Sequence, residues 1–141
     1  MADEGAGTIK VLAPFIRLDA EDRPFLEGVR CGACGEVLAI EPRRACPRCA
    51  AIDSLEPARL AEHGRLYAYT VVHRSFPGVK VPFVAAVVDL HGGGSIKGNL
   101  VGVELDAISF DMPLNVEFER LQPREDSNER HIRHFFTPGA N

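Results

Sequence analysis

Four cysteines constrain this chain more than any other feature. Cys31, Cys34, Cys46 and Cys49 stand in the stretch CGACGEVLAIEPRRACPRC as two CxxC pairs with eleven residues between them, and the 141 residues hold no other cysteine. A CxxC pair lets one tight turn present two thiolates to a single ion, and two such turns close a tetrahedral set. Gly32 and Gly35 suit the first turn and Pro47 the second, whereas Ala50 stands where glycine is more usual. Four protein ligands leave no open position for water or substrate, so the spacing points to a structural site and not to a catalytic one. Zinc is the expected ion, one per chain. Iron takes the same four thiolates, and spacing alone does not separate the two. Arg30, Arg43, Arg44 and Arg48 accompany Glu36 and Glu41 in this segment, and their surplus of positive charge offsets the net negative charge of a divalent tetrathiolate site.

A metal staple implies a module too small to hold its own apolar core. The rest of the chain has enough apolar content, 45% overall, to build one. The opening MADEGAGTIKVLAPFIRLDAEDR carries acids where a secretory signal needs basic residues, and no segment approaches the roughly 20 apolar residues of a membrane span. Cysteines at regular spacing without such a signal read as metal ligands in a reducing compartment, so a cytoplasmic protein is expected. A formal net charge of −4 makes nucleic acid a poor default partner, and without a spanning segment no membrane partner is expected.

Residues 1 to about 13 lack a hydrophobic pattern and read as a tail. LDAEDRPFLEGV is read as a short helix, with Asp19 as cap, Glu21 and Asp22 in the first turn and Gly28 at the exit. EVLAIEP suits a short strand between the cysteine pairs, and SLEPARLAEHG reads as a connector. Five strands then follow in GRLYAYTVVHRS, VPFVAAVVDLH, SIKGNLVGV, MPLNVEFERL and HIRHFFT. The second is apolar almost throughout, which implies cover on both faces. Gly98 and Gly102 in the third suggest a bulge or bend. QPREDSNER reads as a charged loop. The expected fold is mainly β: a tail and short N-terminal helix over 1–27, a four-cysteine zinc ribbon over 28–57 and a five-stranded OB-fold barrel over 58–141. A small sandwich is the alternative to the barrel.

The order of these segments is similar to a known family. CGACG…PRRACPRC, then YTVVHRSFPGVKVPFVAAVVDL, GNLVG, DMPLNVEFE and RHFFTPG resemble, over about residues 15–138, small acyl-CoA-associated proteins with a rubredoxin-like zinc ribbon followed by an OB-fold. The resemblance implies a non-catalytic accessory subunit. Such chains dock on thiolase-like enzymes, acyltransferases, aldolases or hydratases and help shape the acyl-CoA entrance. It implies a hetero-oligomer with a thiolase-like catalytic chain that forms or cleaves C–C bonds in acyl-CoA. Two departures from the family stand out: the N-terminal helical region is short, and the tip HGGGSIKG has three glycines where relatives carry an acidic residue and one glycine.

No residue stands out as catalytic. No serine lies in a G-x-S-x-G elbow, and the five histidines show no metal spacing. Six residues are candidates for contact with CoA or a partner: His73, Arg74, Phe76, Lys80, Lys97 and Asn99. His73 ends the first barrel strand, where hydrogen bonding to a loop carbonyl is favoured over contact with a partner or the pantetheine arm. Arg74 and Lys80 can attract phosphates or simply keep a loop soluble. Phe76 can insert into a partner or fold back on the barrel. Lys97 and Asn99 flank Gly98, where backbone can be approached closely.

Two other functions compete. Zinc ribbons and OB-folds both occur in nucleic-acid binders, but residues 58–141 hold nine Lys and Arg against ten Asp and Glu, and the chain has two Tyr and no Trp. Electron transfer by a four-thiolate iron site is the other, and it would show as a coloured iron protein.

Overall fold

The computed structural model describes residues 9–121 and 129–139. Its strands are β1 (Ile9–Val11), β2 (Ile16–Leu18), β3 (Pro24–Cys31), β4 (Val37–Leu38), β5 (Leu55–Arg59), β6 (His63–Val72), β7 (Phe83–Leu90), β8 (Ser95–Leu100), β9 (Pro113–Leu121) and β10 (Arg130–Pro138). Among the described residues there is no α-helix; the one helical element is a 3-10 turn at Leu105–Ala107. Among the described residues no helix is long and apolar enough to cross a membrane.

β6–β10 are the five expected strands, and they close on themselves in the order β10-β8-β7-β6-β9, with β9 paired back to β10. Alternation dictates the inside. Val84, Ala86, Val88 and Leu90 of β7 are buried, as are Leu114 and Val116 of β9 and Ile132 and Phe136 of β10. Successive side chains of a strand point to opposite faces, so these i, i+2 sets converge on one core. Closure leaves no long edge within the barrel. The bulge lies in β6, where the register with β7 shifts between Leu66 and Ala68. It does not lie at Gly98, which pairs regularly with Ala86. Gly98 serves packing instead: a Cβ there would stand 2.9 Å from His134 Nε2 and 3.0 Å from the Phe136 ring.

The expected N-terminal helix is not formed. Asp19 does act as a cap, but of a turn: its Oδ1 accepts the N–H groups of Glu21 (2.8 Å) and Arg23 (2.9 Å). Asp22 is left-handed at φ 61°, which no helix interior permits. The turn reverses the chain, so β2 pairs antiparallel with β3, Ile16 opposite Leu26, and both are fully buried in the barrel's core cluster. Pro24 is tolerated because it opens β3. Two other expectations change. Residues 9–11 of the expected tail form β1, parallel to β10, and the connector contains β5, paired antiparallel with β3. The rest of the tail, residues 1–8, and the charged loop at 122–128 lie outside the described residues.

The triple glycine at 92–94 forms the β7–β8 hairpin tip, with φ of 84°, 127° and 94°. This tip meets the cysteine segment. A Cβ on Gly93 would stand 2.6 Å from Val37 Cβ, and one on Gly94 would touch Ala39 and Leu60 at 3.6 Å. The departure in HGGGSIKG therefore marks where barrel and ribbon press together.

Candidate functional site

The cysteines come from two turns built alike. In the first, Gly35 N–H donates to the Cys31 carbonyl at 2.9 Å and Cys31 N–H to the Glu36 carbonyl at 2.9 Å. In the second, Ala50 N–H donates to the Cys46 carbonyl at 2.8 Å and Cys46 N–H to the Ala51 carbonyl at 2.9 Å. Gly35 and Ala50 hold the same left-handed position, at φ 81° and 68°. Ala50 thus does what a glycine does more cheaply. β3 fixes the first turn, since Cys31 is its last residue and pairs with Leu55 of β5.

The four Sγ atoms lie within 4.8 Å of one another, and no disulfide joins them. Cys31 and Cys49 are 3.7 Å apart and Cys34 and Cys46 3.9 Å. A tetrahedral ion with sulfur at about 2.3 Å spaces its ligands by about 3.8 Å, so the set fits one metal ion of that size. Cys31 and Cys46 are buried, Cys34 and Cys49 exposed. Backbone donors point at the sulfurs: Ala33 N–H (3.3 Å) and Cys34 N–H (3.4 Å) at Cys31, and Arg48 N–H (3.4 Å) at Cys46. The Ser54 hydroxyl lies 3.2 Å from Cys31 Sγ. Ser54, then the Cys34 N–H, lower the Cys31 thiol to about 6. At Cys34 the N–H of Glu36 pulls downward, but partial desolvation of the sulfur and the hydrogen bonds with the other cysteines outweigh it and raise the thiol to about 11. A cation that replaces the protons removes this conflict, so metal affinity falls as pH falls. Across the site Arg48 pairs with Glu36 at 3.6 Å.

Outside the cysteines, no group of three or more metal-ligating side chains converges among the described residues. His63 and His91 stack with ring centroids 5.2 Å apart. His134 sits between the edges of Phe15 and Phe136, and burial keeps its imidazole below the usual value despite the Lys97 carbonyl at Nε2.

Of the six candidate contact residues, two line a groove on the outer face of the barrel and four lie in the loop between β6 and β7. Lys97 and Asn99 point outward from β8 beside the outward residues of β6 and β7. Pairing sets them in two transverse rows, Ala68–Val87–Lys97 and Thr70–Ala85–Asn99. These residues line a groove of about 490 Å³. The loop at 73–82 springs from one end of this face, carrying His73, Arg74, Phe76 and Lys80, all exposed. Phe76 is 81% exposed, with Val79 and Val81 beside it, so its ring projects and does not fold back. The loop holds no acidic residue. Sequence reasoning missed the small residues of the groove and Ser54. The signal for the groove was the near-continuous apolar run of β7, whose outward Ala85 and Val87 remain only half-covered.

Comparison with known proteins agrees with this architecture. A sequence model of the ChsH2 C-terminal OB-fold domain matches residues 58–119. The chain is 31% identical over 109 residues to a DUF35 domain-containing scaffold protein of Methanocaldococcus jannaschii, covering 75% of this chain and 76% of that protein. It is 34% identical over 95 residues to a protein of Thermomonospora curvata described as a probable enoyl-CoA hydratase alpha subunit, a match spanning 67% of this chain but 29% of that longer one. Among solved structures it superposes on a chain of an Ltp2-ChsH2(DUF35) aldolase with a TM-score of 0.61 and 29% identity, covering 82% of this chain and 86% of the other.

Proposed function

The chain belongs to the DUF35 family of OB-fold scaffold proteins, and from that premise we propose that it is a non-catalytic accessory subunit of an acyl-CoA-processing enzyme. The partner is a thiolase-like catalytic chain in a hetero-oligomer, and the role of this chain is to dock on it and help bind or gate the acyl-CoA. One observation carries the reading: the likeness, over most of both chains, to the DUF35 component named in an aldolase structure. The cysteine site holds one structural zinc, which keeps the ribbon a rigid projection beside the barrel.

The outer face of β6–β8 is the proposed docking face. Its floor is small and apolar, its rim carries Lys97, and the adjoining loop presents Phe76 between Arg74 and Lys80. An exposed aromatic ring flanked by cations fits an apolar hollow rimmed by acids on the partner, and aromatic anchors of this kind carry a large share of interface energy. The cations beside it also suit CoA phosphates near the mouth of a shared site.

The test is co-purification of the tagged chain with a thiolase-like protein, followed by size exclusion and metal analysis of the peak. The expected result is a joint peak with one zinc per copy of this chain. Phe76→Asp should weaken the association on the order of tenfold or more, with no change in melting temperature. Elution of the chain alone, metal-bound and indifferent to CoA esters, would remove the reading.

A further inference from the structure

We propose that Ser54 is a built-in part of the metal centre, a positioning residue whose hydroxyl donates to the Cys31 thiolate and makes Cys31 the anchoring ligand. The proposal rests on the reading that the four cysteines hold a metal ion.

Three features fix this hydroxyl in place. Asp53 is left-handed at φ 57°, and its N–H donates to the Arg44 carbonyl at 2.7 Å. Gly32 N–H donates to the Ser54 carbonyl at 2.7 Å, which ties residue 54 to the first cysteine turn. β5 begins at the next residue, and its register places Leu55 opposite Cys31. Backbone bonds thus hold Ser54 on both sides, and its Oγ ends 3.2 Å from Cys31 Sγ. A metal-bound thiolate has no proton to give, so the hydroxyl must be the donor.

The centre is unequal as a result. Cys31 is buried and receives three donors: Ser54 Oγ and the N–H groups of Ala33 and Cys34. Cys46 is buried and receives the Arg48 N–H. Cys34, at which the Glu36 N–H is directed, and Cys49 are exposed. Hydrogen bonds spread the charge of a thiolate and fix its direction, and losing a partner of this kind typically costs about 10- to 100-fold in metal affinity.

The experiment titrates the metal-free full chain with cobalt(II) and follows the thiolate-to-cobalt charge-transfer absorption. The native chain should saturate at one ion per chain. Ser54→Ala, which removes a single oxygen, should bind about 10- to 100-fold more weakly. Its charge-transfer band should move to lower energy, because a thiolate without its donor gives up an electron more easily. Ser54→Thr keeps the hydroxyl and should restore both affinity and band. Equal affinity and an unmoved band in Ser54→Ala would overturn the proposal, as would a Ser54→Thr chain as weak as Ser54→Ala. A native chain with no thiolate band would overturn the metal reading itself, a result distinct from either.

Discussion

Between Val29 and Arg59 the buried apolar residues are Val29, Cys31 and Cys46, whereas the strands from His63 to Pro138 bury Leu66, Val84, Val88, Ile96, Leu114, Ile132 and Phe136 among others. Both regions are built on β-strands, more densely in the second, but they differ in what holds them. The barrel gains from apolar area removed from water and from closure of its own sheet. The ribbon has little such area, and two of its three buried side chains are cysteines of the sulfur cluster. Its backbone bonds orient four sulfurs that repel one another once ionised, a repulsion that a bound cation would relieve. On the proposed metal reading, stability in the ribbon is a binding equilibrium, while in the barrel it is a packing sum.

The strongest test of that contrast is metal removal. Structural zinc in such small sites contributes apparent free energies of about 10–16 kcal/mol. Stripping the metal at neutral pH should abolish amide-exchange protection across Val29–Arg59 and leave β6–β10 protected. If the barrel lost protection to the same extent, the two regions would be one cooperative unit. Next in size is the barrel's own dependence on packing. Phe136→Ala should destabilise the metal-loaded protein by about 3–5 kcal/mol in denaturant melts, with metal stoichiometry unchanged. A chain that lost its metal along with its barrel would contradict the separation.

Barrel and ribbon meet at Gly93 and Val37. Gly93 is left-handed, and a Cβ there meets Val37 Cβ at 2.6 Å. Gly93→Ala should cost about 2–3 kcal/mol, part backbone strain and part overpacking. Val37→Gly in the same chain, which removes the Cβ that Gly93→Ala would meet, should recover the overpacking share relative to Val37→Gly alone; no recovery in the double variant would mean that strain alone is responsible. The smallest effect expected is a gain. Ala50 holds a left-handed position that its counterpart Gly35 holds without penalty. Ala50→Gly should therefore stabilise the metal-loaded ribbon by about 1 kcal/mol, visible as slower metal loss to a chelator, with the midpoint of barrel unfolding unmoved.

Much of this was legible in residue order. Each CxxC turn is local: a few residues, a left-handed position after the second cysteine, and bonds back to the first. The alternation Leu114, Val116, Phe118 against Asn115, Glu117, Glu119 likewise places β9 without reference to any other strand. The resemblance to ribbon-plus-barrel proteins depends on the order of such local units, and order survives in the sequence.

What the sequence left open was decided by pairing at a distance. Asp19 followed by acids is as good a helix cap as a turn cap. The turn is formed because Ile16 and Leu26 can then face each other inside the core, and because Gly28 lets the Leu38 backbone approach β3 to where a Cβ would be 2.1 Å from its carbonyl oxygen. Ser54 carries no motif, and only the β3–β5 register brings its oxygen to Cys31. The groove is likewise assembled from β6, β7 and β8, whose small outward residues mean nothing singly. Short-range chemistry is written into neighbouring residues and can be read from them. Contacts between distant strands depend on which apolar faces can be buried together, and that choice exists only once the whole chain has closed.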